Sequence, residues 1–393
     1  MKYPEYVKKI LDAINKAGFE AFAVGGAVRD FLLEKPSHDY DLTTSALPEE
    51  TAEIFKSYNV IKTGLKHGTV TVISDGHPVE ITTYRIDGDY KDSRHPTGVH
   101  FTRSLEEDLA RRDFTVNAMA HNEKRGLVDL FGGASDLDKR LIRAVGDPRK
   151  RFEEDALRIM RAFRFCSKLD FDIEENTFIA AKDCAPRLIN ISAERKSAEL
   201  EGILLGLGAK KALRLMHEAG VFEVIAPMLS LDTTRFDSID KLSGDFACRM
   251  AFCLIGQENY ENFISALRLS NAVSARIKKL VRLSESTLVL LDDKSLRRFM
   301  AECGDELEDV FMIRAALGES VEDLRKRAKE IKEHGDCLYL SELKISGRDL
   351  SDIGINGKDV GEALSYLLDA VHGEPSLNNR AALLDLIKKE KNL

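Results

Sequence analysis

The sequence predicts an α/β amino-terminal domain followed by an all-helical remainder. Strand and helix patterns alternate up to about residue 135. Within that stretch an Asp-Gly pair, Asp75-Gly76, sits between two β-branched runs and signals a hairpin. Beyond Arg140 strand patterns almost disappear, while helical periodicity runs nearly to the end.

Taken in order, Pro4 to Lys16 is an amphipathic helix with Val7, Ile10, Leu11 and Ile14 on one face and Gly18 as its stop. Phe22-Ala23-Val24 is a short apolar strand running into Gly25-Gly26, and Leu47-Pro48-Glu49-Glu50 opens a helix through Phe55. Thr69–Ile73 and Val79–Tyr84 are the hairpin strands. Asp147-Pro148 marks a helix start, and Phe152 to Leu169 reads as one long arginine-rich helix. Segment 321–335 is a highly charged helix, as compatible with a solvated face as with an RNA contact. A last unit from about Leu338 closes on a helix ending near Ile387.

At 393 residues the chain should form two to four domains. A hydrophobic content of 44% and a charged content of 32% fit an ordinary globular protein, and no run approaches the ~18–20 apolar residues needed to span a membrane. The amino terminus has no apolar signal region, so a cytoplasmic protein is expected. The six cysteines form no Cys-x-x-Cys pair and are expected to be reduced and buried. The formal charge is −8, yet residues 139–168 carry ten Lys/Arg against four Asp/Glu, and 271–300 carry seven against three. A basic surface on an acidic protein is compatible with RNA.

The chemistry concentrates first in Gly25-Gly26-Ala27-Val28-Arg29-Asp30, followed by Asp39 and Asp41. Residues i and i+2 of an extended strand share a face, so both carboxylates can converge on one site and hold Mg²⁺. The glycines let the backbone approach a triphosphate, to which Arg29 can add a charge-assisted contact. Glu80 lies on the second hairpin strand. It either completes a three-carboxylate, two-metal cluster or faces solvent on the open side of a sheet. Ser104 with Glu107 forms a capping box, after which Asp113 and Asn117 stand four apart. That pair either reads ribose hydroxyls or closes a helix junction. In Phe152-Glu153-Glu154-Asp155-Ala156-Leu157-Arg158, the acids either make intrahelical salt bridges or present a rigid Asp–Arg pair to a base edge. Arg158, Arg161 and Arg164 follow in steps of three and would repel one another without an anion such as a triphosphate.

The order Gly-Gly-x-Val-Arg-Asp, Asp-x-Asp, Arg-Arg-Asp-Phe-Thr-x-Asn-Ala, Glu-Asp-x-x-Arg resembles the bacterial-type (class II) tRNA CCA-adding nucleotidyltransferases, relatives of bacterial poly(A) polymerases. These motifs span residues 25–158, and weaker similarity reaches Ser346-Gly347-Arg348-Asp349-Leu350 and Asn378-Asn379-Arg380. The resemblance implies an α/β head of polymerase-β-like nucleotidyltransferase fold over 1–138, then an all-α neck (139–205), body (206–335) and tail (336–393) that bind tRNA. It implies that Asp39 and Asp41 bind catalytic Mg²⁺ with Glu80 as third acid, and that Gly25, Gly26 and Arg29 hold the triphosphate. Arg112 and Asp113 would contact the ribose with Asn117 supporting the turn. Asp155 and Arg158 would template cytosine and then adenine, Glu154 would orient the arginine, and Arg161 and Arg164 would line the pocket. Asp87 to Pro96 takes the place of the family's flexible loop, which speaks against a CC-only enzyme. The substrates implied are CTP, ATP and the tRNA acceptor end, with no membrane partner; monomer and dimer both stay open. An A-adding enzyme, a poly(A) polymerase and, from another class, a metal-dependent phosphohydrolase are the alternatives.

Overall fold

The computed structural model describes residues 1–37, 39–87, 99–286 and 292–391. The loop expected over Asp87–Pro96 therefore lies outside the described residues, except for the backbone of Asp87. The chain divides into two compact units, residues 1–236 with 259–269, and residues 237–258 with 270–393.

The first unit is built on a seven-stranded mixed sheet ordered β3-β4-β5-β2-β1-β8-β9. Its strands are β1 (Ala21–Val24), β2 (Asp41–Thr44), β3 (Asn59–Ile61), β4 (Thr69–Ser74), β5 (His77–Thr83), β8 (Met119–Asn122) and β9 (Gly126–Asp129), while β6 (Arg85–Asp87) and β7 (Val99–Phe101) pair separately. Only the β2–β5 pair is parallel, which sets Asp41 beside Glu80. The expected hairpin forms: Asp75 and Gly76 both take positive φ (49° and 81°), the backbone a two-residue turn of this hand demands.

The register separates the two faces of this sheet. Ala21, Ala23, Leu42, Val70, Val72, Val79 and Ile81 share one buried face, against which pack α1 (Glu5–Lys16), α2 (Gly26–Leu32) and α3 (Pro48–Ile54). Helix α1 buries the four residues its periodicity singled out, Val7, Ile10, Leu11 and Ile14. Each such burial contributes ~1.5–3 kcal/mol over an exposed position. On the other face Phe22, Val24, Ala120 and Val128 form a cluster with Leu105 and Leu109 of α4 (Leu105–Ala110). That same face carries Asp41, Thr43, Glu80 and Thr82 beyond the reach of the apolar cluster.

Ser104 caps α4 by accepting from the Glu107 N–H, at 3.3 Å, but Thr102 donates to the Glu107 carboxylate instead of the expected return arm. After α5 (Gly133–Asp138) the unit is helical apart from the two-residue strands Leu141–Ile142 and Asp172–Ile173. The long helix expected from Phe152 breaks. Helix α6 (Pro148–Glu154), capped by Asp147, ends at Asp155, whose backbone is extended (φ −140°, ψ 103°). Its carboxylate then accepts the Leu157 N–H at 3.0 Å and starts α7 (Leu157–Leu169). Aspartate favours this local hydrogen bond over an uninterrupted helix. Helix α8 (Glu175–Cys184) packs on α6, and α9 (Ala193–Leu204) packs along α7.

In the second unit, Arg276 meets Asp245, Glu306 and Asp309 at 2.6–2.9 Å, and Arg297 pairs with Asp336 at 2.7 Å. Leu350, Leu367, Val371, Leu383 and Ile387 form the core of its last helices. The charged helix runs Glu322–His334 and buries only Ala328 and Ile331. None of the six cysteines is in a disulfide, and five are buried. Among the described residues no helix is long and apolar enough to cross a membrane.

Gly133 tests the packing under β8. A Cβ there would lie 2.3 Å from the Thr115 carbonyl and 2.9 Å from Met119 Sδ, so Gly133→Ala should destabilise by about 1–3 kcal/mol. Gly361, the fourth residue of the helix Lys358–Gly373 with nothing within 4 Å, should give the opposite sign as Gly361→Ala, a gain of at most about 0.5–1 kcal/mol. Urea midpoints of the two variants measure both.

Candidate active site

Strand β1 delivers the chain to Gly25, whose backbone (φ 67°, ψ −127°) is open to glycine and strained for any residue with a Cβ. The Arg29 N–H closes onto the Gly25 carbonyl at 3.1 Å and starts α2. Antiparallel pairing sets Asp41 opposite Val24, one residue before the turn. Asp41 is open to solvent on one side, but the protein beside it strips enough water to raise its carboxyl above the ordinary range; Arg112 opposes that rise and Asp39 adds to it. A carboxylate pair held in mutual repulsion suits a hard divalent cation with oxygen ligands.

The three-carboxylate cluster is not assembled. Among the described residues, no three His, Cys, Asp or Glu side chains stand together as a metal-binding group. Asp39 precedes the β2 ladder, and Glu80, although in register with Asp41, lies exposed on the open sheet face.

Arg112 links the turn to the acidic strand. A Cβ on Gly25 would sit 3.5 Å from its Nη1. Its Nη2 donates to Asp108 at 3.2 Å, and Asp108 also accepts from Arg111 (2.7 and 3.0 Å) and from Thr43 Oγ1 (3.2 Å). Asp108 is wholly buried; burial alone would raise its carboxyl, but Arg111 and Arg112 hold it below the ordinary range. Sequence reading passed over Asp108, although its spacing to Arg111 and Arg112, i+3 and i+4 on a helix, was a usable signal.

Arg29 takes a different place from the one expected. It is buried, pairs with Asp30 at 2.8 Å and donates to Asn117 Oδ1 at 2.8 Å, so it fastens the turn from behind. Asn117 in turn donates to Asp113 at 3.4 Å, which closes the predicted four-residue spacing. Asp113 also caps the Phe114 N–H and takes Arg161 at 2.6 Å. Burial pushes the Asp113 carboxyl up, but Arg161 outweighs it and holds the group below the ordinary range.

The arginine ladder needs no external anion, contrary to expectation. Arg158 pairs with Glu154 at 2.7 Å, Arg161 with Asp113, and Arg164 with Glu199 at 2.5 Å. Glu154 is thus the i+4 partner of Arg158, which also donates to the Arg151 and Arg111 carbonyls. Asp155, besides capping α7, accepts from Arg195 at 2.9 Å. Glu199 and Arg195 lie on α9, 35 and 40 residues from their partners, and no local spacing announced them. Lys168, exposed and one helical turn beyond Arg164, stands among Arg29, Asp30, Arg164 and Asp39; burial and the neighbouring arginines lower its pKa.

A glycine turn feeding an aspartate-bearing strand, with Arg112 between them, is the arrangement of a nucleotidyltransferase head. Family profiles agree along the chain. Residues 21–143 match a Poly A polymerase head domain, 170–232 an RNA and SrmB-binding site of polymerase A, and 247–387 a tRNA nucleotidyltransferase domain 2. A curated CCA-adding enzyme of Streptococcus mutans is 36% identical over 97% of this chain and 96% of its own length. The crystal structure of the Bacillus stearothermophilus CCA-adding enzyme in complex with CTP covers 100% of both chains at 33% identity and a TM-score of 0.82. The Thermotoga maritima CCA-adding enzyme complexed with tRNA shares the fold, at 23% identity, a TM-score of 0.74 and coverage of 98% and 94%. The chain belongs to the CCA-adding enzyme family.

Gly25→Ala should strain the turn by about 1–3 kcal/mol and press on Arg112. The expected result is a folded protein by circular dichroism whose nucleotidyl-transfer rate falls about a hundred-fold.

Proposed function

We propose that this chain adds CCA to the 3′ end of tRNA, without a nucleic-acid template, from CTP and ATP with release of pyrophosphate. The observation that carries this reading is Arg112. Anchored on buried Asp108, it joins the glycine turn to the aspartate strand at the place where a triphosphate and a divalent cation would meet. Asp39 and Asp41 would hold the cation, which we take to be Mg²⁺, with Glu80 alongside on the sheet. When bound, the cation activates the attacking hydroxyl and neutralises charge on the departing phosphates.

The residues of the chain supply orientation. The Gly25-Gly26 turn brings backbone N–H groups up to the phosphates, with Arg29 stapling it in shape. Asp113, fixed by Arg161, reaches the ribose, and Asn117 braces that turn. The RNA 3′-hydroxyl oxygen bonds to the α-phosphorus as the bond from that phosphorus to pyrophosphate breaks. At the start of α7, Asp155 and Arg158 offer an acceptor and a donor to the base edge, with Glu154 orienting the guanidinium. UTP puts a donor where cytosine has an acceptor, and the wrong base leaves buried polar groups unpaired. Arg161 and Arg164 line the same pocket. We assign 1–138 to the head, 139–205 to the neck, 206–335 to the body and 336–393 to the tail, the helical parts gripping tRNA by backbone shape in the cytoplasm.

The test is incorporation of labelled CTP and ATP into tRNA lacking CCA, ending in CC, and ending in CCA. Extension of the first to CCA and then a stop is expected. Addition of A to the CC-ending substrate alone would make the chain an A-adding enzyme, and A addition past CCA a poly(A) polymerase. Asp39→Ala and Asp41→Ala should each abolish incorporation while tRNA binding, followed by filter retention, is kept. Asp155→Ala and Arg158→Ala should narrow the preference for CTP over UTP by about ten-fold or more while metal binding stays intact; unchanged discrimination among the four nucleoside triphosphates would remove the template role.

A further inference from the structure

We propose that Phe165 is a positioning residue, its ring holding Arg161 and Arg164 in place beside a bound nucleotide and Arg29 in place behind the glycine turn. The guanidinium carbons of Arg164, Arg161 and Arg29 lie 4.5, 5.4 and 5.7 Å from the ring centroid. An aromatic face attracts a cation through its quadrupole, and Arg stacks on it more readily than Lys. Two of these arginines belong to α7, while the third belongs to α2, just past the glycine turn. Phe165 is therefore the point at which the nucleotide-facing helix and the phosphate turn share one contact.

The ring is itself held. Phe165 is buried, and Phe114, next to Asp113, meets it edge-on at 5.7 Å. Each guanidinium is also paired with a carboxylate: Asp30 for Arg29, Asp113 for Arg161 with Glu199 farther off at 4.0 Å, and Glu199 for Arg164. A carboxylate fixes one edge of a guanidinium but leaves its plane free to turn about that contact. A flat ring on the other side removes that freedom. Each arginine thus meets both a carboxylate and the ring, and Arg29 donates to Asn117 besides. With the three carboxylates the cluster is formally neutral, and the exposed Lys168 beside it leaves an excess of one positive charge. An aliphatic side chain would fill the space without offering a face to stack on. This inference rests on the nucleotide pocket proposed above.

The experiment compares Phe165→Leu, Phe165→Tyr and Phe163→Leu in the full chain, Phe163 being wholly buried on the same helix. CTP and ATP affinities are read by titration calorimetry, and KM and kcat by incorporation into tRNA lacking CCA. Phe165→Leu should raise Kd and KM for both nucleotides about ten-fold with kcat changed less than about two-fold. Phe165→Tyr should restore both constants, and Phe163→Leu should lower the melting temperature without moving them. Should Phe165→Leu fail to fold, Phe165→Met takes its place. Nucleotide affinities in the aliphatic variant equal to those of Phe163→Leu, or no rescue by tyrosine, would overturn the proposal. A wild-type chain that binds CTP but incorporates nothing would overturn the function instead, with the affinities still deciding Phe165. Wild type that binds neither nucleotide would overturn both.

Discussion

Asp108 has no exposed surface and stays charged because two guanidiniums and a threonine hydroxyl surround it. An unpaired carboxylate at that depth would take up a proton, and a lost partner would leave a charge buried without compensation, at a cost of ~3–5 kcal/mol. Its ligands are also the parts of the site. Thr43 lies two residues along the strand from Asp41, Arg112 reaches the glycine turn, and the Arg85 N–H, at 3.4 Å, ties in the start of β6. The acidic strand, the phosphate turn and the arginine mouth keep their relative places through this one buried anion.

The same device recurs outward along α7. Arg158, Arg161 and Arg164 follow one helical face, and each is matched by an acid from a different part of the chain: Glu154 from the preceding helix, Asp113 from the loop after α4, Glu199 from α9. Charged pairs with partial burial contribute little net stability, since desolvation offsets much of the attraction. Their effect is on geometry. Pre-paired guanidiniums hold fixed directions, which under the proposed function would present an incoming nucleotide with donors already in place.

Local signals were read correctly where the physics is local. The buried face of α1, the Asp75-Gly76 turn, the Asp147 cap and the strand before Gly25 all follow from side-chain periodicity or from single-residue backbone preference. The break at Asp155 was missed because helix propensity on both sides is strong. One aspartate, capping the Leu157 N–H, was enough to divide the run. Arg29 was misplaced for another reason: an arginine beside a phosphate turn can point to the ligand or back into the protein, and the buried partner Asn117 is 88 residues away.

The sequence by itself located a glycine turn, a pair of aspartates and an arginine-rich helix start, because each depends on spacing within a few residues. It also established the α/β-then-helical order, since the hydrophobic period changes near Arg140. Only the tertiary structure decided which acid holds which arginine, that Glu80 stands open beside Asp41 instead of closing a three-acid cluster, and that three guanidiniums gather around Phe165. Those outcomes depend on strand register and on helices brought together from distant segments. Coulomb and stacking energies act through space, and no sequence interval encodes that distance.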